Sequence, residues 1–276
     1  MKIKNITRNL KKTNDGIYYS KQNSEISYSE KFHDSFIDIE ENSFWFKHRN
    51  NIISESIKRY NSDKVFFDIG GGNGFVAKRL QDEGSKVILV EPGKTGAMNG
   101  YKRGIKHVFN TTLNDAGFED EIIDSVGLFD VIEHIKDDYL FMCDINKYMK
   151  KSGYIYITVP AYNLLWSNED YKAGHFRRYT INDLNRLLKR SGYNIIYSTY
   201  IFSILPLPIF LFRKVPSILG FLKNVEKNGT HRSTHKKRNN LLGKLIERIW
   251  EWELSKIEKN KKIPFGGSCF LIGQKL

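Results

Sequence analysis

The stretch VFFDIGGGNGFVAKRLQDEG, residues 65–84, decides how the rest of the chain is read. Its first five residues are almost wholly apolar, which suits a buried strand. Glycines then stand at alternate positions, Gly70, Gly72 and Gly74, with Gly71 between the first two, and a helical pattern follows. Glycine at such a turn lets the backbone pass close to a ligand, and the helix that opens there presents unpaired N–H groups. The dinucleotide fingerprint G-x-G-x-x-G, begun at Gly70, needs glycine at position 75, where Phe75 stands, so an NAD-type site is disfavoured. The pattern present is D-x-G-x-G-x-G, led by Asp68, and the next apolar run, KVILVEPG (86–93), closes on a second acid, Glu91.

Outward from this turn, apolar runs alternate with amphipathic stretches: HVF (107–109), SVGLFD (125–130) and YIYITVP (154–160). Continuous apolar strands joined by helical crossovers predict an α/β chain with a doubly wound, Rossmann-like sheet. SFWFKHRNNIISESIKRY (43–60) predicts a helix with Ser43 as N-cap. Thr180 and Asp183 make a capping pattern for a helix that ends at Gly192, and residues 193–199 predict a further strand. The expected organisation is an irregular N-terminal extension and cap helix (1–60), a core (61–199), an apolar and basic helical insertion (200–262) that closes on an amphipathic helix over Leu241 to Ile257, and a last strand of the core sheet in 263–276.

With 276 residues, 40% of them hydrophobic, the chain can bury a core unaided. The net charge of +13 would draw anionic small molecules, lipid surfaces or nucleic acid, without choosing among them. Two cysteines, Cys143 and Cys269, make no disulfide framework and favour a reducing compartment. The basic, polar N-terminus has no apolar signal region, so a cytoplasmic location is expected. The longest apolar run, residues 200–212, carries Pro206 and Pro208 and is too short to span a bilayer. Within SILPLPIFLFRKVPSILGFL (203–222) three readings stay open: packing of an inserted subdomain, a lid over a pocket, or peripheral contact with the inner membrane face. The basic run KNGTHRSTHKKRNN (227–240) reads as a solvated linker and lacks the interleaved aromatics of a single-strand nucleic-acid platform.

Asp68, the glycines and Glu91, in this order and strand context, resemble motif I and its companion acid in class I S-adenosylmethionine-dependent methyltransferases, over about residues 43–200 and again at the last strand. The resemblance implies a seven-stranded methyltransferase sheet in which Gly70, Gly71, Gly72 and Gly74 pass under the cofactor. It also implies that Glu91 accepts from the ribose hydroxyls and that Asp68 orients the turn or meets the ammonium. An acceptor-only carboxylate suits a vicinal diol, which offers two donors. FDVIEH (129–134) resembles the D-V-x-E-H segment of the ubiquinone-biosynthesis-like branch, which sets Phe129 and Asp130 beside the cofactor and His134 near the methyl-transfer face. His134 could equally orient local backbone. Thr112 and Leu113 occupy the family's adenine region, and Arg49 either reaches the cofactor carboxylate or lies on the surface.

The loop PAYNLLWSNEDYKAGHFRRYT (160–180) follows a strand end, where open α/β sheets bind ligands. It resembles a G-H-x-R-R-Y-T signature of a bacterial subgroup of the same superfamily. Trp166 and Tyr179 offer flat walls, Asp170 can pair with His175 or an arginine, and Arg177 and Arg178 can grip a carboxylate or phosphate, although Arg178 could as well pin the loop. His175 is the second candidate, beside His134, for accepting a proton. No carboxylate and histidine spacing asks for a metal, so none is expected. The combined expectation is methyl transfer to a small, anionic or lipid-linked acceptor, with oxygen favoured as nucleophile. The charge motivates RNA or protein methylation as an alternative, against which the N/D-P-P-Y/F/W tetrad is absent. A non-catalytic protein that binds the cofactor is a further alternative.

Overall fold

The computed structural model describes residues 6–21, 40–41, 43–60, 64–218 and 241–276. The basic run 227–240 and most of the N-terminal extension lie outside them. The described strands form one sheet: β1 (Leu10–Lys12), β2 (Tyr18–Ser20), β3 (Val65–Ile69), β4 (Lys86–Val90), β5 (Val108–Asn110), β6 (Ile123–Phe129), β7 (Met149–Pro160), β8 (Tyr193–Ile201) and β9 (Ser268–Lys275). Their order across the sheet is β1-β2-β5-β4-β3-β6-β7-β9-β8. Strands β5, β4, β3, β6 and β7 are parallel, while β9 runs antiparallel between β7 and β8, so the last strand does return to the core sheet.

Consecutive side chains of β3 serve opposite faces, as the pleat requires. Phe67 and Ile69 join the core under α4 (Asp138–Tyr148) and α6 (Ile181–Arg190), with Met142, Ile145, Leu184 and Leu188. Phe66 joins the core under α1 (Phe44–Tyr60) and α2 (Phe75–Asp82), with Ile52, Ile53, Ile57, Val76 and Leu80. Each such aromatic or aliphatic burial contributes about 1.5–3 kcal/mol, so this central strand is anchored from both sides. Ser43 caps α1 by accepting from Trp45 N–H at 3.2 Å, and Thr180 and Asp183 close a reciprocal capping box at α6.

The N-terminal extension differs from its expectation of irregular chain. Residues 10–20 make a hairpin whose second strand pairs in parallel with β5, and Tyr18 packs edge-on against Phe109 at 5.2 Å. The hairpin covers the edge that a three-residue β5 would otherwise leave unpaired. Its two three-residue strands are too short to show period-two alternation, which is why sequence periodicity misses them.

In the insertion, residues 206–218 are helical, and Leu205 and Ile209 pack inward while Leu207, Leu211 and Phe212 face outward. The amphipathic helix expected near 241–257 is present as Leu241–Glu258 and lies against α1. Among the described residues no helix is long and apolar enough to cross a membrane.

Candidate active site

The chain turns from β4 and β5 on one side of β3 to β6 and β7 on the other, so a crevice opens at the carboxyl ends of β3 and β6. Gly70 N–H donates to the Val90 carbonyl at 2.8 Å and draws the turn across the end of β4. Asp68, 1% exposed, accepts from Ala77 N–H through Oδ2 at 3.1 Å and so ties the strand to the first turn of α2. A Cβ on Gly71 would lie 2.6 Å from that Oδ2, and Gly74 turns at φ 74° with the Ile105 side chain 2.3 Å from where a Cβ would stand. Gly74 is required by its left-handed backbone, while a side chain at Gly71 would press on the Asp68 carboxylate that holds the turn.

Glu91 is buried, and its two oxygens accept from Gly72 N–H at 2.8 Å and Gly93 N–H at 2.7 Å. It thus holds the glycine turn to the next loop, a role beyond the ribose contact expected of it.

Above the turn lies a cavity of about 210 Å³, bordered by Asp68, Gly70, Gly71, Gly72, Phe129, Asp130 and Arg49. Arg49 pairs with Asp130, and Thr158 Oγ1 donates to the other Asp130 oxygen at 3.1 Å. With its side chain 13% exposed, Arg49 is a cavity residue and not a surface one. Among the described residues, two buried atoms of cavity-lining side chains have no hydrogen-bond partner: Asp68 Oδ1 and Arg49 Nε. Burial pushes the Asp68 carboxyl up to about 7, against the Ala77 hydrogen bond and the nearby Arg49 charge.

Glu40, Phe46, Phe75 and Val76 also border the cavity and were missed by the sequence reading. Phe46 and Phe75 meet edge to face at 6.3 Å as an apolar wall. The signal was present, since Phe46 lies on the apolar stripe of α1 and Phe75 is the residue that breaks the dinucleotide fingerprint. Of the residues expected at the cofactor, Gly74, Glu91, Thr112 and Leu113 are not among the described residues that border the cavity. Leu113 is 4% exposed within the core, and Thr112 Oγ1 accepts from Asp115 N–H at 3.1 Å in a local turn.

On the other side of Asp130, the 3₁₀ turn Ile132–His134 meets the 160–180 loop, and Phe176 N–H donates to the Glu133 carbonyl at 2.7 Å. The rings of His134 and His175 lie 4.7 Å apart and nearly perpendicular. His175 Nδ1 is 2.9 Å from Asp170 Oδ1. Burial, reinforced by the neighbouring His175, holds His134 down at about 4, so its ring is neutral at pH 7. Burial, with Asp130 adding to it, raises Glu133 well above the ordinary glutamate range.

Several acceptor-side expectations are corrected here. Arg178, 8% exposed, grips both oxygens of Asp170 at 2.7 and 3.0 Å and donates to the Ala161 carbonyl, so it pins the loop instead of presenting a free guanidinium. Asp170 is spent on Arg178, His175 and the Ser167 N–H. Burial opposes its ionisation, but the His175 and Arg178 hydrogen bonds outweigh it and hold the carboxyl far below its usual range. Tyr179 is 4% exposed and donates to Asp138 Oδ2 at 2.7 Å, inside the core and not along a substrate wall. Arg177 pairs with that same Asp138 oxygen at 2.7 Å. Trp166 remains at the loop, edge-on to the exposed Tyr171 at 5.2 Å.

A family model described as a methyltransferase domain matches residues 45–198. No curated protein matches the sequence. Among solved structures, a Thermotoga maritima S-adenosylmethionine-dependent methyltransferase, described as a possible histamine N-methyltransferase, aligns with TM-score 0.56 at 16% identity over 90% of this chain and 98% of its own. Phosphoethanolamine N-methyltransferase 2 of Haemonchus contortus, in complex with S-adenosyl-L-methionine, aligns with TM-score 0.57 at 18% identity over 90% of this chain and 58% of its own. Geranyl diphosphate C-methyltransferase of Streptomyces coelicolor A3(2), solved with Mg²⁺, geranyl diphosphate and S-adenosyl-L-homocysteine, aligns with TM-score 0.53 at 12% identity over 81% and 78%. With the glycine turn, the crevice and the matched family domain in agreement, the chain belongs to the methyltransferase-domain family and is an S-adenosylmethionine-dependent enzyme of Rossmann-like fold.

Proposed function

We propose that the glycine-turn cavity seats S-adenosylmethionine and that the enzyme methylates an oxygen of a small-molecule acceptor entering beside the 160–180 loop. One observation carries this reading: Asp68 and Arg49 border the same cavity, and a buried carboxylate oxygen of the first, Oδ1, and a guanidinium nitrogen of the second, Nε, have no hydrogen-bond partner among the described residues. A ligand with an ammonium and a carboxylate on one carbon, such as the methionine end of the cofactor, answers both at once. Glu91 would take the ribose hydroxyls on lone pairs left beside its two backbone contacts. Phe46 and Phe75 would exclude water from the sulfonium.

The sulfonium is already a good leaving group, so the protein's tasks are alignment, water exclusion and handling the acceptor proton. The last task falls to the His134–His175 cluster, whose rings lie 4.7 Å apart. Its loop sequence and the D-V-x-E-H segment support a place near the ubiquinone-biosynthesis-like branch and the G-H-x-R-R-Y-T subgroup.

Titration calorimetry with S-adenosylmethionine and S-adenosylhomocysteine tests the cofactor reading. Binding in the micromolar range is expected, and no heat at about millimolar ligand would overturn it. His175→Ala should lower turnover at least about a hundredfold with cofactor affinity preserved; full activity would move the proton task elsewhere.

A further inference from the structure

We propose that residues 206–218 dock the protein on the surface of an anionic lipid bilayer, with Leu207, Leu211 and Phe212 entering the lipid and the basic residues beside and after them meeting the headgroups. This segment begins after the family-matched domain ends at residue 198, so the surface is an addition to that domain.

The helical segment divides by face. Leu205, just before it, and Ile209 pack inward beside Gly267 at the start of the last strand. Leu207, Leu211 and Phe212 turn the other way and are 67%, 47% and 76% exposed. The 210–214 turn lies against Asn163–Leu165 and Asn168–Ala173, which add Leu164 and Tyr171, each 69% exposed. Single exposed apolar residues need no explanation, but large ones gathered on adjoining elements mark a contact surface.

Charge says what kind of surface covers them. Residues 213–240 hold eight Lys or Arg against one acid, Glu226, so this stretch carries more than half of the chain's excess of +13. It follows the apolar face directly, since Arg213 and Lys214 come next after Phe212. From 223 to 240 the one apolar side chain is Val225, so that part of the chain has almost nothing with which to cover the ledge itself.

An anionic bilayer answers both features at once, because its acyl boundary takes leucine and phenylalanine while its headgroups take lysine and arginine. Nucleic acid would answer the charge but leave Leu207 and Leu211 without a partner, since bases stack on flat rings. A second copy of this chain would bring the same positive charge to the same face, and like charges repel. Thirteen helical residues at about 1.5 Å each span roughly 20 Å, short of the ~30 Å acyl core, so the segment lies along the surface and does not cross it. Neither apolar insertion nor basic attraction alone holds a protein firmly, whereas the two together do.

The test is co-sedimentation of the full chain with vesicles of phosphatidylcholine alone and of phosphatidylcholine with an equal share of phosphatidylglycerol. Binding to the anionic vesicles should be at least about tenfold tighter. Part of it should survive about 0.5 M NaCl, where headgroup attraction is screened and apolar insertion remains. The double variant Leu211→Asn, Phe212→Asn should weaken anionic-vesicle binding by more than about tenfold, with its thermal midpoint within about 2 °C of the wild type. No sedimentation at about 1 mM anionic lipid, equal binding to both vesicles, complete release by salt, or a folded double variant that binds like the wild type would each overturn the proposal. With vesicles unbound, a dimer that the double variant abolishes would assign the face to a second copy, and salt-sensitive RNA binding would assign it to nucleic acid. The salt arm uses the wild type alone, so it decides the matter even if the double variant fails to fold. Calorimetry with S-adenosylhomocysteine in the absence of lipid reads the cofactor site separately, so failure of docking leaves the methyltransferase reading standing.

Discussion

Burial sets the Asp68 carboxyl at about 7, so in the ligand-free protein it takes up a proton that an unfolded aspartate, near 3.8, would not hold. The folded state therefore binds more protons between about pH 4 and 7, and this residue's contribution to stability declines as pH rises through that interval. A cofactor ammonium favours the ionised form. Cofactor affinity should accordingly climb as pH rises from 5 to 7, and calorimetry across that range should show the slope in the wild type and its loss in Asp68→Asn. Glu91 answers to a different arithmetic, because its oxygens hold two backbone N–H groups and, on the proposed reading, two ribose hydroxyls. Glu91→Ala should weaken cofactor binding by about 1.5–3 kcal/mol, and unchanged affinity in a titration would remove its binding role. Asp68 and Glu91 were legible in the sequence because each stands at the end of an apolar run, where a carboxylate has no place in a core. The fates of Arg177, Arg178 and Tyr179 were not legible, since whether a guanidinium or phenol is free depends on Asp138 and Asp170, and the chain alone does not say which partner it meets.

The helix Leu241–Glu258 shows how one element is fastened by a single buried acid. Glu253, fully buried, accepts from Phe202 N–H at 2.9 Å, from Ser203 N–H and Oγ at 2.5 and 2.6 Å, and lies 3.0 Å from His48 Nε2 on α1. It joins the insertion, the turn after β8 and the cap helix, while Trp250 stacks on the His48 ring at 4.8 Å. Burial opposes ionisation of Glu253, yet the His48 and Ser203 contacts outweigh it and lower its pKa, so the stability it contributes is present above the unfolded glutamate range and fades as pH falls. Glu253→Ala strands these donors and should cost about 3 kcal/mol, measurable as a lower midpoint in urea. Since α1 carries Arg49 and Phe46 to the cavity, the same variant should also weaken the cofactor. The helix itself was readable from its amphipathic pattern. Its attachment was not, because Glu253 and His48 are 205 positions apart and each reads locally as a polar surface residue.

For the whole molecule, the cofactor cavity is assembled from both halves of the sheet and from the cap helix, so ligand and fold are linked. S-adenosylhomocysteine at about 100 times its dissociation constant should stabilise the protein by about 2.7 kcal/mol and raise its thermal midpoint by roughly 5 °C; a midpoint that does not move would place the ligand elsewhere. The sequence by itself determined the alternation of buried strands and helices, the turn at Gly70–Gly74 and the two acids at strand ends. These are local facts: apolar run length, glycine's conformational freedom and the expense of a carboxylate beside a core are all written within a few neighbouring residues. Only the tertiary structure decided that residues 10–20 extend the sheet, that Arg178 and Tyr179 are spent inside the fold, and that Glu133, His134 and His175 converge. Each of those outcomes depends on which side chain from a distant segment arrives to satisfy a charge or cover an edge, and chain folding alone settles that meeting.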